Sequence, residues 1–220
     1  MMKPSRHSYS SLSKYNRCPR QWKYSYIDGL PDPSGKAAMR GSRLHLSGER
    51  YLQGLIKNLV VDFWKVQKNM EAFKAAGALA EATWLVDRKW RDEADQGRAM
   101  LKAIVDVHYV DNKTLHVCDL KTGNVYDSHA DQLRLYAAIG LCKYPNVDEV
   151  KVSALYIDGG SVGSEATYNR SLLPNLTKYY DGRIAELEAD ETYIPKPDST
   201  VCRFCPYSPK KGGPCQFAAE

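Results

Sequence analysis

Residues 103–136, AIVDVHYVDNKTLHVCDLKTGNVYDSHADQLRLY, decide how this chain folds. Two short apolar runs, Ala103–Val107 and Leu115–Leu120, flank the turn-forming Asp111-Asn112-Lys113, which is the pattern of a β-hairpin. Each run carries a carboxylate: Asp106 inside the first and Asp119 near the end of the second. Lys121 follows Asp119 by two residues, and residues i and i+2 of a strand share a face, so the two project together. Pairing of the hairpin adds Asp106 to them. Two carboxylates and a lysine suit a hard divalent cation such as Mg²⁺ or Mn²⁺, which takes oxygen ligands and leaves room for substrate phosphates. The lysine can orient or help deprotonate an attacking water. An isolated D-x-K is more often a pair of solvated strand-end charges, so its neighbours must decide.

Working outward, Ser128 caps a helix that runs to about Cys142, and Val150–Ile157 alternates as a strand, with a further strand near 165–170. Asn175–Ala189 is amphipathic through Leu176, Tyr180, Ile184 and Leu187. Upstream, Ala82–Arg88 reads as a strand. Helices are predicted from Ser10 to Ile27 with a break at Pro19, from about Ser42 into the 50s, and from about Val60 to Ala76. Residues 28–41, rich in proline and glycine, read as a loop, and the last thirty residues as irregular. Helices first, then strands interleaved with helices, predict an α/β fold with a mixed central sheet flanked by helices.

At 220 residues with 43% hydrophobic content, the chain is large enough for a real core. Its net charge of +5 permits a polyanionic partner, and fifteen tyrosines and four tryptophans offer stacking surfaces. The opening MMKPSRHSYS lacks the apolar run of a signal peptide, and no stretch has the length of a membrane span. A cytoplasmic location is expected. Disulfides are rare there, so six cysteines need another explanation.

Three further constellations stand out. His45 and Glu49 are four apart on a predicted helix, where an imidazole can complete a divalent site. Gln132 and Tyr136, again four apart, follow the hairpin and could hold a phosphate or sugar. Cys202-Arg203-Phe204-Cys205 is a C-x-x-C with Cys215 beyond it, and Cys18 lies far upstream in N-R-C-P-R-Q-W. Four thiolates hold either Zn²⁺ or a [4Fe–4S] cluster and would staple the two ends of the chain together. Cys118 and Cys142 read as small core residues.

Taken together these residues resemble the PD-(D/E)XK nucleases of the RecB type, specifically the Cas4-like branch with an iron–sulfur cluster. The resemblance rests on S-x-L-x-x-Y-x-x-C-P at Ser10–Pro19, G-x-x-x-H-x-x-x-E at Gly41–Glu49, Asp106, D-x-K at Asp119–Lys121, Q-x-x-x-Y at Gln132–Tyr136 and C-x-x-C…C at Cys202–Cys215, in the family's order. It implies a single nuclease domain over residues 1–220 with a restriction-endonuclease-like core, in which segments 10–27 and 195–220 form the cysteine-cluster region. It implies that His45, Asp106, Asp119 and the Leu120 carbonyl bind Mg²⁺ or Mn²⁺ and that Lys121 positions the nucleophilic water. Gln132 and Tyr136 would contact DNA, and Cys18, Cys202, Cys205 and Cys215 would ligate a [4Fe–4S] cluster. The gap between Cys205 and Cys215 is longer than the family pattern, and the roles of Glu49 and Glu81 stay open. The implied activity is that of a metal-dependent DNA exonuclease acting on single-stranded DNA or DNA ends, with a recombinase, helicase or integrase as a possible partner. The competing expectation is a non-catalytic nucleic-acid-binding subunit of a repair complex, held together by its cysteines.

Overall fold

A computed structural model describes residues 3–33, 35–124, 126 and 128–219. In chain order its elements are β1 (His7–Ser8), α1 (Tyr9–Arg17), α2 (Pro19–Tyr26), α3 (Lys36–Leu52), a 3₁₀ turn (Val61–Val66), α4 (Gln67–Ala75), β2 (Leu79–Val86), β3 (Leu101–Asp111), β4 (Thr114–Lys121) and α5 (Ser128–Lys143). There follow β5 (Glu149–Tyr156), β6 (Ser161–Asn169), a 3₁₀ turn (Arg170–Leu172), α6 (Leu173–Ala189), α7 (Ser199–Phe204) and a last 3₁₀ turn (Pro209–Lys211). The chain divides into two compact units, residues 35–178 and residues 1–34 with 179–220.

Residues 35–178 hold the expected α/β architecture. Their strands run in the order β2–β3–β4–β5–β6, antiparallel except for the parallel β4–β5 pair that α5 connects. On β4, side chains alternate between the two faces of the sheet. Cys118 and Leu120 enter an apolar cluster with Leu44 and Tyr51 of α3, Phe63 and Val66 of the 3₁₀ turn, and Met70 of α4. The intervening Asp119 and Lys121 face the other way, toward α5. That helix is buried from Leu133 through Leu141 apart from Arg134, as expected of one that is apolar nearly all round. It packs closely because position 140 is glycine: a Cβ there would meet Leu115 at 2.8 Å and the Trp84 ring at 3.3 Å.

Several boundaries differ from the sequence expectation. Helix α3 begins at Lys36, inside the stretch read as a loop, and runs through Gly41. The span read as one helix from Val60 starts as a 3₁₀ turn whose Phe63 and Val66 are drawn into the core. Strand β2 starts at Leu79 rather than Ala82, and β6 at Ser161 rather than 165, since each is extended by pairing with a neighbour. The side chain of Ser128, expected as a helix cap, lies outside the described residues.

In the other unit the break expected at Pro19 occurs as a single extended residue, Cys18, with φ of −161°. Pro19 restarts the chain as α2 at the first helical position, where its missing N–H costs nothing. The Trp22 ring is wholly buried, stacks on Tyr26 and Tyr193 and donates to Ser11 Oγ at 2.9 Å. Tyr15 donates to Asp190 at 2.9 Å, and the Ser25 and Tyr207 hydroxyls are 2.8 Å apart. These contacts join the N-terminal helices to residues 190–207. The closing residues, expected to be irregular, include α7, which Asp198 caps by accepting from the Thr200 and Val201 N–H groups. Among the described residues no helix is long and apolar enough to cross a membrane.

Candidate metal centre and cysteine site

The register of three strands builds the centre. The β3–β4 ladder runs from Asp111–Thr114 to Val107–Cys118 and stops, which leaves Asp106 opposite Asp119. Beyond that point the Leu120 N–H donates to Asp106 Oδ2 at 2.7 Å instead of to a strand carbonyl. On the other side of β3, the β2 ladder pairs Ala80 with Val107 and Ala82 with Val105, skipping Glu81, whose place is opposite Asp106. Glu81 has φ of +50°, a conformation that L-residues other than Asn and Asp rarely adopt within a strand. Three carboxylates thus stand in one row across neighbouring strands, an arrangement that is destabilising on its own.

Helix α3 brings His45 to this row, with Nδ1 at 3.1 Å from Asp106 Oδ1 and 3.8 Å from Glu81 Oε1. One donor atom each from His45, Glu81 and Asp106 lie within 4.8 Å of one another. An open concavity lined by Ser42, His45, Leu46, Glu49 and Glu81 gives access from solvent. Burial pulls the His45 imidazole down, but its hydrogen bonds to Asp106 and Glu81 outweigh this and lift it to about 10. A proton therefore occupies the imidazole, and a cation binding there would release it.

Asp119 is buried at 2% exposure, and burial followed by the charge of Asp106 raises its carboxyl above the usual range. The alternative of solvated strand-end charges does not hold for Asp119, because α5 covers this face of the sheet. Lys121 Nζ forms an ion pair with Asp119 Oδ2 at 2.5 Å. The same Nζ donates to Gln132 Oε1 at 2.8 Å. Gln132 Nε2 reaches Tyr136 Oη at 2.7 Å and Asp119 Oδ1 at 3.4 Å. Tyr136, expected at the DNA, is only 4% exposed, and its hydroxyl donates to the Ile104 carbonyl at 2.8 Å. It meets the centre through Gln132. Burial raises that phenol well above its ordinary value, with the nearby carboxylates adding to the shift.

The structure therefore brings together His45, Asp106, Asp119, Lys121, Gln132 and Tyr136, with Leu120 tied to Asp106 by its N–H. Glu49 lines the concavity beside His45 and accepts from Gln53 at 3.0 Å. Glu81 is the residue that sequence reasoning left without a role. Only the register of β2 against β3 reveals it, because no motif spacing marks it. Oxygen donors with one imidazole and an excess of buried negative charge fit a hard divalent cation such as Mg²⁺ or Mn²⁺.

In the other unit, Cys18, Cys202, Cys205 and Cys215 line one small cavity with Gln21, Tyr24, Pro195, Pro197 and Phe217. All four are free thiols. Burial raises the Cys205 thiol, and the neighbouring Cys215, Cys18 and Cys202 raise it further. Cys205 N–H donates to Cys202 O at 3.1 Å, while Cys215 N–H is held by Tyr207 O at 3.0 Å. No three of the four sulfurs converge within 4.8 Å. Of the other two cysteines, Cys118 is buried against the core as expected and Cys142 is half-buried.

A family model described as the PD-(D/E)XK nuclease superfamily matches residues 6–209. Among solved structures, the crystal structure of SSO0001 aligns with TM-score 0.53 and 18% identity, covering 100% of this chain and 90% of its own. A protein from Eubacterium rectale with a provisional exonuclease assignment aligns at TM-score 0.49 and 10% identity, over 87% of this chain and 84% of its own. A search of curated proteins finds no match.

Proposed function

Because the chain belongs to the PD-(D/E)XK nuclease superfamily, we propose that it is a metal-dependent DNA exonuclease of the RecB and Cas4-like type, cleaving single-stranded DNA or DNA ends. The observation that carries this reading is Lys121 Nζ, held at Asp119 Oδ2 and Gln132 Oε1 beside the His45 and Asp106 donors. A binding module has no use for opposed carboxylates facing a polyanion. A phosphodiesterase does. His45, Asp106, Asp119 and the Leu120 carbonyl would hold Mg²⁺ or Mn²⁺, which would supply a Lewis acid and an acidified water. The protein's own part is positional. Gln132 fixes the Lys121 amine, which hydrogen-bonds the attacking water and offsets the charge gathering on the phosphate. Tyr136 fixes Gln132 in turn, and Gln132, the less buried of the two, is the one left for a phosphate contact.

The four cysteines hold a [4Fe–4S] cluster in this reading. The support for this is that the four cysteines line one small cavity. The single nuclease domain then draws both ends of the chain into one cluster-stapled region. Cellular or viral DNA in the cytoplasm is the substrate, in recombination, repair or end processing, where a helicase, recombinase or integrase is the fitting partner.

The test is cleavage of DNA labelled at either end, and of circular single strands, with Mg²⁺, Mn²⁺ or EDTA, beside Lys121→Ala. Loss of linear DNA that requires metal and Lys121 is the expected result. Intact protein that binds DNA and leaves it uncut would replace this reading with that of a non-catalytic subunit.

A further inference from the structure

We propose that Trp64 is a stacking platform for an unpaired base of single-stranded DNA, on a turn tied to the strand end that carries Lys121. This deepens the DNA-nuclease reading and rests on it. Trp64 is 68% exposed, whereas the other three tryptophans are exposed by 9% or less. An indole left in water needs a reason, since its large apolar area is what cores and interfaces normally cover. Val61, at 81% exposure, and Leu55, at 68%, extend the apolar surface of the same segment.

The platform is rigid. Phe63 and Val66, on either side of Trp64, are wholly buried in the cluster that holds Met70 and Leu120, so the 3₁₀ turn is pinned from beneath. Arg40 of α3 donates to Asp62 Oδ2 at 2.6 Å and to the two carboxylate oxygens of Asp158 at 2.7 and 3.0 Å. Asp158 also accepts from the Gly123 N–H at 2.7 Å, and Lys65 Nζ donates to the Asp158 carbonyl at 2.8 Å. Gly160, with φ of +72°, leaves room for the Lys65 stem, because a Cβ there would lie 2.8 Å from Lys65 Cβ. The turn is thereby tied to Gly123, two residues beyond Lys121. An aromatic ordered beforehand stacks on a base with little further loss of freedom.

Charge chooses the occupant. Between residues 53 and 70 the charged side chains are Lys57, Asp62, Lys65 and Lys68. The three lysines are exposed, and the single acid is taken up by Arg40. Lys65 Nζ stands 5.4 Å from the centre of the Trp64 ring. An exposed aromatic among cations, in a segment with no unpaired carboxylate, matches a strand that offers base faces and phosphates in alternation. A duplex hides those faces in its own stack, so Trp64 favours single strands and frayed ends.

The experiment follows tryptophan emission of the full chain as oligo(dT) is added in Ca²⁺, with anisotropy of the labelled oligomer measuring binding in parallel. Oligo(dT) should quench the emission of wild type, and an abasic oligomer of equal length should not. Trp64→Phe should lose the quench and keep most of the affinity, because a phenyl ring also stacks. Trp64→Ala should weaken oligo(dT) binding roughly 5–150-fold at an unchanged melting temperature, since so exposed a side chain contributes little to the core. Oligo(dT) bound without quenching, no binding of oligo(dT), or full affinity in Trp64→Ala overturns the proposal and returns this surface to a protein partner. Failure of the nuclease reading looks different: oligo(dT) quenches Trp64, yet no DNA is cut with Mg²⁺ or Mn²⁺.

Discussion

Tyr136→Phe separates positioning from DNA contact and can be worked through atom by atom. The phenol oxygen is buried and makes two hydrogen bonds, donating to Ile104 O at 2.8 Å and accepting from Gln132 Nε2 at 2.7 Å. Phenylalanine keeps the packing of the ring and deletes both bonds. The Ile104 carbonyl loses a donor and the Gln132 amide loses its anchor, a cost of about 1 kcal/mol once each finds a partial substitute. For a chain of this size that lowers the melting temperature by about 2–4 °C. The catalytic consequence is larger. Gln132 Oε1 is what holds Lys121 Nζ at 2.8 Å, so an unanchored amide lets the amine drift from Asp119 and from the water it orients. Loss of a supporting hydrogen bond of this kind reduces activity by roughly 10–100-fold. The drop should lie in kcat, with oligonucleotide affinity in Ca²⁺ unchanged, because Tyr136 is too buried to touch substrate. Single-turnover cleavage and fluorescence anisotropy on the same oligonucleotide measure the two separately. Weakened binding with kcat intact would refute the chain from Tyr136 through Gln132 to Lys121.

Two other perturbations follow from the same structure. His108 is buried against Trp84, and burial, with Lys143 nearby, depresses its imidazole to about 4. The unfolded chain takes up that proton near pH 6.5, so this contribution is complete above 6.5 and is lost as pH falls toward 4, by about 3 kcal/mol in all. Urea midpoints between those two pH values should show this loss in wild type and not in His108→Gln; parallel curves would refute it. A Cβ at Gly213 would sit 2.2–2.3 Å from the Tyr207 backbone, which cannot yield as a side-chain tip can. Gly213→Ala should displace the loop holding Cys215 and reduce iron content and absorbance near 400 nm, whereas metal binding at His45 and Asp106 persists; full iron loading would show that the loop tolerates the shift.

Much of this protein is written locally. The hairpin, the break at Pro19 and the helix that becomes α5 follow from local apolar runs, turn residues and the backbone limits of proline, all of which act within a few residues. The D-x-K pairing on one face follows from the two-residue period of a strand, and the metal-site chemistry from the residue types present. The four cysteines were legible as a set, though their sharing of one cavity depends on Trp22, Tyr193 and Tyr207 bringing the two ends of one unit together. What tertiary structure alone decided is which carboxylates face each other and how far they are from water. Register fixes Glu81 opposite Asp106, and it is set by pairing between strands that residues 87–100 separate in the sequence. Burial of Asp119 and Tyr136 comes from α5 lying over the sheet, which makes both parts of an interior network. Sequence spacing specifies a face within one element, but the neighbour across it is chosen by packing.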